Sequence, residues 1–344
     1  MACSPNGGPN GSYGQLTRIL NILARAASAA AAACTGRPAA LLLFLCVIFS
    51  PAPSTAQVTC NVTFTNIAFN NIDVLPGTAI DSAGTLTTTC TGLTGANKVI
   101  LCYGMDDGSF ALVGGVRQLG SGANRLGFNV YSDAARTVTW NSTAAGKVPV
   151  VLTATVATVT STVYARILGS QQSAALGAYS TTMSSPIFGS LFTGATPACS
   201  TQTTQLGTRT YTISATVVSS CMVTTTTLNF GTTSLFLANI DQTSTISVTC
   251  TNTTAYQVRI DGGVAAATDP TLRKMSLGAN KITYGLYRDA ARGAPWGSTD
   301  GTNTQPGTGN AAAIGHTVYG RIPPQASQPP GVYTDTVVVT VSFI

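Results

Sequence analysis

The chain has 344 residues, a formal net charge of +6, one histidine and no glutamate. Only 8% of its residues are charged, and the basic residues are spread along the chain, which argues against a nucleic-acid surface. General acid–base catalysis usually relies on His or Glu with an orienting partner, so the composition also argues against an enzyme. No motif for a cofactor is present.

Residues 1–56 have the pattern of an export signal. Three arginines and no acidic residue precede the apolar stretch 39–49, and Ser54-Thr55-Ala56 fits the small-x-small cleavage rule. A transmembrane helix needs about 20 apolar residues, and this stretch is too short. We therefore predict cleavage after Ala56 and a mature protein that is exported to the periplasm and the cell surface.

The cysteines beyond the signal agree with export. They form an even set, which is typical of disulfides in exported proteins: Cys60, Cys90, Cys102, Cys199, Cys221 and Cys250. None of them pairs at the short spacing of zinc ligands, and His316 is the only histidine. We therefore predict disulfides and no metal site.

One pattern occurs twice, about 155 residues apart. Residues 122–136 match residues 278–292, and the two tryptophans, Trp140 and Trp296, then fall in register. The chain is therefore predicted to be a tandem duplication. The predicted divisions are a signal peptide at 1–56, a divergent unit at 57–198 and a second unit at 199–344.

Each unit has the periodicity of β-strands. The last segment alternates apolar and Thr or Ser positions, which gives one apolar face made of Val337, Val339, Val341 and Phe343. Clusters of Gly, Asn, Asp and Pro mark turns between such runs, and no amphipathic helix separates them. This pattern predicts an all-β fold of two immunoglobulin-like antiparallel β-sandwiches.

The acidic residues offer two candidate sites and a simpler reading for each. Asp106 and Asp107 are adjacent, as in a glycosidase pair, but Gly108 follows them and Asp-Gly is common in turns. Asp133 and Asp289 recur in both units, so they could belong to a binding site. A repeated turn, in which each Asp accepts hydrogen bonds from backbone N–H groups, requires less assumption.

Several motifs of the second unit resemble one family. They are Phe230-Gly231, Cys250-Thr251, 284–289, Trp296-Gly297, 318–321 and 331–336. Each unit resembles a spore coat protein U domain, the fold of Csu-type (archaic) chaperone–usher pilus subunits. The first unit departs from the pattern at Phe69-Asn70 and Trp140-Asn141, and Tyr179 is not followed by a clear apolar terminal strand.

The resemblance implies a non-enzymatic subunit that is held by a periplasmic chaperone and assembled at an outer-membrane usher. It also implies that the second sandwich is incomplete, with a groove at Val337, Val339, Val341 and Phe343 that accepts the donor strand of a neighbouring pilin subunit. A two-domain member resembles a tip adhesin, whose first domain contacts an abiotic or host surface. The alternative is a non-fimbrial spore-coat or cell-surface matrix protein.

The repeat predicts two of the disulfides. Cys60 with Cys90 and Cys221 with Cys250 occupy the same places in the two units, so we pair them in this way. Cys102 and Cys199 have no counterparts in the second unit, and we pair them with each other by elimination.

Apolar runs in the divergent first unit suggest where it could contact a surface. The candidates are Phe110, Leu112, Val113, Ile187, Phe188, Leu191 and Phe192. Exposed apolar loops often mark binding surfaces, but ordinary core strands explain these runs equally well. Cleavage after Ala56 would leave only three residues before Cys60, too few to fill a neighbour's groove, which predicts a place at the fibre tip.

Overall fold

The computed structural model describes residues 57–343, so the predicted signal at 1–56 lies outside the described residues. Within the described part of the chain, the secondary structure is almost entirely β-strand. No helix in that part is long and apolar enough to cross a membrane. The strands fall into two groups, which correspond to the two copies of the repeat.

Ten strands form the first group. They are β1 (Thr59–Phe64), β2 (Ile67–Ile72), β3 (Ile80–Thr91), β4 (Lys98–Tyr103), β5 (Arg117–Ser121), β6 (Asn124–Tyr131), β7 (Val148–Thr153), β8 (Thr158–Ile167), β9 (Gly177–Phe192) and β10 (Gln205–Val217). Their sheet has the order β1-β3-β8-β6-β5-β9-β10-β2, with β4 paired to β9 and β7. The sheet curls so that β2 contacts β3 and β1 contacts β10 around one core.

Eight strands form the second group. They are β11 (Cys221–Thr225), β12 (Ile240–Cys250), β13 (Ala255–Ile260), β14 (Arg273–Leu277), β15 (Asn280–Tyr287), β16 (Gln305–Thr308), β17 (Ala313–Ile322) and β18 (Val339–Phe343). One sheet has the order β11-β12-β17-β15-β14, and the other has the order β16-β13-β18. A separate apolar core lies among these strands and includes Trp296. The predicted all-β fold is confirmed.

Alternation of side chains explains why these segments are strands. In β10, Tyr211, Ile213, Ala215 and Val217 are buried, and the residues between them face outward. Thr and Ser occupy most of the outward positions, where β-branched and hydroxyl side chains suit a half-exposed pleated surface.

The strand pairing of β10 crosses the predicted division between the two units. The sequence-based division placed residues 199–217 in the second unit, but β10 pairs with β9 and β2 of the first group. The second group begins with β11 at Cys221. An alternating segment between two similar units suits either of them by periodicity, so only the tertiary pairing assigns it.

Both terminal strands also differ from expectation. The first unit has a long terminal strand, β9. Every second residue of this strand faces the core, and Met183, Ser185 and Ile187 are buried at such positions. In the second unit the regular strand begins only at Val339, where β18 pairs with β13.

Disulfides join Cys60 to Cys90, Cys102 to Cys199 and Cys221 to Cys250, the three pairs that the sequence predicts. The first and last of these link residues that lie directly opposite each other, on β1 and β3 and on β11 and β12. The second joins β4 to the connection between β9 and β10.

The repeated aspartates form turns, as the simpler reading predicts. The Asp133 carboxylate accepts hydrogen bonds from the backbone N–H groups of Thr137 and Val138. Asp289 accepts from Gly293 and Ala294 in the same way. Both turns aim an arginine at a second aspartate, through ion pairs of Arg136 with Asp81 and of Arg292 with Asp241.

Candidate functional site

β10 fills a gap between β9 and β2 in the first sandwich. It runs antiparallel to β9, with Tyr211 opposite Met183 and Ala215 opposite Tyr179. It runs parallel to β2, with Ile213 opposite Ile67. β2 and β10 lie far apart in the sequence and run parallel, so β10 joins the sheet as an added strand from a later part of the chain.

Four side chains of β10 complete the first core. Tyr211, Ile213, Ala215 and Val217 are all buried. The Tyr211 ring stacks on Phe64, and its hydroxyl lies 3.2 Å from the sulfur of Met105. Burial raises the pKa of Tyr211, so the hydroxyl stays protonated. Without β10, these contacts would be lost and an apolar trough would remain between β9 and β2.

The second sandwich has such a trough. By the repeat, residues 331–338 correspond to the start of β9, and residues 228–233 correspond to β2. Neither segment forms a regular strand. Within residues 57–343, the backbone of segment 331–338 pairs only through the isolated bridge from Thr334 to Ser276 and through a hydrogen bond from the Asp261 N–H to the Val338 carbonyl. The edges that hold β10 in the first sandwich are therefore unpaired in the second.

An open cavity of about 500 Å³ lies between these two edges. Its lining is mainly apolar and includes Leu228, Phe230, Ile246, Ile260, Met275, Tyr284, Leu286, Val318, Tyr333, Val337 and Val339. Two of the predicted groove residues, Val337 and Val339, line it. The other two predicted groove residues do not line it: Val341 packs against the second core beside β13, and Phe343 is 51% exposed at the end of β18. Both lie beyond the unpaired part of the terminal segment.

The side chains around this cavity are less buried than their equivalents in the first sandwich. Tyr179 and Met183 are buried under β10, whereas their counterparts Tyr333 and Val337 are half-exposed. Phe69, which is buried beside β10, corresponds to Phe230, which is half-exposed. The difference lies in the missing strand, because the residues themselves remain aromatic or aliphatic.

One carboxylate lies in the groove and is fully engaged. Asp335 accepts a hydrogen bond from the Tyr284 hydroxyl at 2.7 Å and another from the Val264 backbone N–H at 2.9 Å. Burial, together with the hydrogen bond to Asp335, raises the pKa of Tyr284 far above its ordinary value. The hydroxyl therefore remains a donor that holds Asp335 against the groove floor.

Sequence reasoning missed a pair of buried arginines. Arg117 donates to the carbonyls of Asp106 and Trp140, and Arg273 donates to those of Ile260, Asp261, Pro270 and Trp296. Burial lowers the pKa of both guanidinium groups. Their recurrence at equivalent places in the repeat was the available signal. Each arginine donates hydrogen bonds to backbone carbonyls at one end of a core.

The surface candidates of the first sandwich divide into three kinds. Ile187 is 5% exposed and belongs to the core, so its assignment to a binding surface is wrong, because it occupies an inner position of β9. Leu112, Val113 and Leu191 are exposed. The three phenylalanines are half-buried, and each lies under a cation: Phe110 with Arg125, Phe188 with Lys147, and Phe192 with Lys98.

The exposed candidates lie at opposite ends of β9. Ser109, next to Phe110, donates its N–H to the Thr181 hydroxyl near the start of the strand. Leu191 lies opposite Val99 at the other end. At about 3.3 Å per residue, roughly 30 Å of strand separates these ends. The start of β9 is the end nearer the second sandwich, since Leu176 donates its N–H to the Asn252 carbonyl.

His316, the single histidine of the chain, lies beside the Tyr256 ring. It is half-buried, and its Nε2 lies 3.0 Å from the Tyr256 hydroxyl. Burial lowers the pKa of His316. Among residues 57–343, no three His, Cys, Asp or Glu side chains converge as metal ligands.

Comparison with known proteins finds relatives for both copies of the repeat. The family model for the Spore Coat Protein U domain matches residues 48–185 and 207–340. Protein U of Myxococcus xanthus is 34% identical over 129 residues, which covers 34% of this chain and 72% of the relative.

One of the similar solved structures shares the fold. A chain in the crystal structure of the CsuC–CsuE chaperone–tip adhesion subunit pre-assembly complex, from archaic chaperone–usher Csu pili of Acinetobacter baumannii, matches with a TM-score of 0.51 and 15% identity. That match covers 83% of this chain and 100% of the other chain. The CupB6 tip adhesin from Pseudomonas aeruginosa matches with a TM-score of 0.36 and 14% identity, over 83% of this chain and 95% of the other.

Proposed function

This chain belongs to the spore coat protein U domain family, and on that premise we propose that it is a non-enzymatic structural and adhesive subunit of a chaperone–usher fibre. In this proposal the second sandwich accepts a donor strand from a neighbouring subunit. The observation that carries it is the contrast between the two sandwiches. One holds β10 between two edges, and the other has the same edges with an open cavity between them.

The physical basis is strand addition. Backbone N–H and C=O groups along residues 331–338 have few ladder partners, and an added strand would pair them. An inserted strand would also bury apolar side chains in the groove, each contributing about 1.5–3 kcal/mol. Both terms favour an inserted strand, and β10, which runs antiparallel to β9, is the template for its direction along residues 331–338.

The proposal includes a route to the cell surface. An exposed apolar groove is an aggregation hazard before assembly, so a periplasmic chaperone would cover it and an outer-membrane usher would exchange the chaperone for the donor strand. The solved relative from Acinetobacter baumannii is described as a chaperone–tip adhesion subunit pre-assembly complex, which supports such a partner. A non-fimbrial coat or matrix protein is the alternative, and a genome without a neighbouring chaperone and usher would favour it.

We assign surface contact to the end of the first sandwich that lies away from the second. Leu191 is 58% exposed there, and Phe192 lies beside it. Phe110, Leu112 and Val113 lie near the other end of β9, so they are less suited to first contact. Leu191→Ser should weaken adhesion to a hydrophobic surface while leaving the thermal unfolding temperature unchanged. Equal weakening by Leu112→Ser would contradict the assignment.

A self-complemented variant tests the groove. The chain is extended after Ile344 by a flexible linker and a copy of residues 208–218, so that the copied strand can fold back along residues 331–338. We expect this variant to unfold at a higher temperature and to aggregate less than the unextended chain. The matched control carries Ile213→Asp and Ala215→Asp within the copy. If the extension and its control behave alike, the groove does not accept a strand.

A further inference from the structure

We propose that the groove selects its donor strand by size at two positions. The donor must place a bulky apolar side chain where β10 has Tyr211, and a small side chain where β10 has Ala215. This inference rests on the proposed function, and it names the chemistry of the partner. β10 supplies the template, because it occupies the equivalent place in the same chain.

The first position is wider in the second sandwich than in the first. Tyr211 packs on Phe64 and lies opposite Met183. The equivalent residues are Thr225, which lines the groove, and Val337. Both replacements remove side-chain volume. A void beside a bound strand loses dispersion contacts, so a larger donor side chain would be favoured here.

The same position also lacks the sulfur atom that the Tyr211 hydroxyl contacts in the first sandwich. The Tyr211 hydroxyl contacts the sulfur of Met105. The equivalent residue is Ile260, whose side chain offers no acceptor. A Tyr hydroxyl would lose this sulfur contact in the second sandwich, so the proposal favours Phe, Leu, Met or Trp over Tyr.

The second position faces an equivalent tyrosine in both sandwiches. Ala215 lies opposite Tyr179, whose hydroxyl donates to the Ala175 carbonyl at 2.8 Å. Tyr333 is the counterpart of Tyr179, and its hydroxyl donates to the Pro329 carbonyl at the same distance of 2.8 Å. The ring is therefore held in the same way in both sandwiches. Because the residue opposite Tyr179 is Ala215, the template favours a small residue such as Ala, Ser or Gly opposite Tyr333.

Peptide binding to the full chain tests both positions. The probes are a synthetic peptide with the sequence of residues 208–218 and its Tyr211→Phe, Tyr211→Ala and Ala215→Phe variants, each added to the chain as it is released from its chaperone. We expect the Tyr211→Phe peptide to bind tightest. The Tyr211→Ala and Ala215→Phe peptides should bind at least tenfold more weakly than the Tyr211→Phe peptide.

A change in the groove should alter the relative binding of the peptides. Thr225→Phe restores the aromatic ring on which Tyr211 stacks in the first sandwich, so it should increase the advantage of the Tyr211→Phe peptide over the Tyr211→Ala peptide. Thr224→Phe is the matched control, because Thr224 does not line the groove. Equal binding of all four peptides would overturn the size selection and leave strand acceptance intact. Binding of none of them would overturn strand acceptance itself.

Discussion

Tyr211 stacks on Phe64 with ring centroids 5.0 Å apart and ring planes 6° apart, so β10 packs face to face on β1 across the first core. Ile213 follows on the same face and is fully buried. Directly after β10, Val218 donates its N–H to the Ile72 carbonyl. The strand that leads to the second sandwich is therefore part of the first one, and its loss would open the first core.

Replacement of Ile213 tests this role of β10. Ile213→Ala should lower the free energy of unfolding by about 2–5 kcal/mol, because it removes buried methyl groups and leaves a cavity. Thr210→Ala, on the exposed face of the same strand, should change it by less than about 0.5 kcal/mol. Urea unfolding with the disulfides intact measures both. Equal effects would show that β10 is not a core strand.

The disulfide Cys102–Cys199 should stabilise the first sandwich more than Cys221–Cys250 stabilises the second. It closes 97 residues of sequence, and Cys221–Cys250 closes 29. In the chain-entropy account, the longer loop contributes about 1 kcal/mol more, within a typical range of roughly 2–5 kcal/mol for each bond. Paired Cys→Ala variants and their denaturation curves measure the difference. Peptide mapping without reduction checks the pairing, and a Cys102–Cys250 link would contradict it.

Replacement of Arg273 by lysine should destabilise the second sandwich. Its guanidinium group pairs four backbone carbonyls at the end of the second core. Lysine keeps the charge but lacks the planar set of donors, so Arg273→Lys should leave carbonyls unpaired and cost about 1–3 kcal/mol of stability. Arg125→Lys serves as the control, because Arg125 hydrogen-bonds only exposed carbonyls of its own turn and lysine can keep a cation over the Phe110 ring. A neutral Arg273→Lys in thermal unfolding would contradict this role.

The sequence was sufficient for the repeat, the strands and the disulfide pairs, because period-two alternation and equivalent cysteines are local or repeated signals. It was not sufficient for β10, since an alternating strand between two units carries no mark of its partners. The exposed Phe343 and the buried Ile187 share the same apolar, alternating pattern, and only the neighbouring strands distinguish them. Arg117 and Arg273 were missed because charged side chains are normally placed at the surface.

Asp241 should make stability depend on acid pH. A hydrogen bond from Arg321, aided by Arg292, lowers the pKa of Asp241 below its ordinary value. A carboxyl group with a lowered folded pKa stabilises the protein above its unfolded pKa of about 3.9, and this stabilisation is lost as pH falls through the folded pKa. Asp241→Asn should therefore lose stability at pH 7, by about 1 kcal/mol or less because the pair is partly exposed.

The pH dependence of that loss is the sharper measurement. The difference in unfolding free energy between the chain and Asp241→Asn should shrink as pH falls from about 5 to 2. Arg321→Gln should show the same trend, since it removes the principal partner of Asp241. A difference that stays constant with pH would mean that the ion pair contributes nothing.

The last prediction is that the mature protein accepts a donor strand and gives none, which would place it at a fibre tip. Cleavage after Ala56 would leave Gln57 and Val58 ahead of β1. A donor that fills the groove as β10 does must cover the distance from Tyr211 to Val217, roughly 20 Å at about 3.3 Å per residue. Two residues cannot cover it, and β1 itself is paired with β3 and joined to it by Cys60–Cys90. The mature chain should therefore bind one donor peptide per molecule and remain monomeric in sedimentation. Terminal sequencing of protein recovered from the cell surface should begin at Gln57. A mature terminus well upstream of Gln57, or fibres formed by the purified chain alone, would show that it also donates a strand.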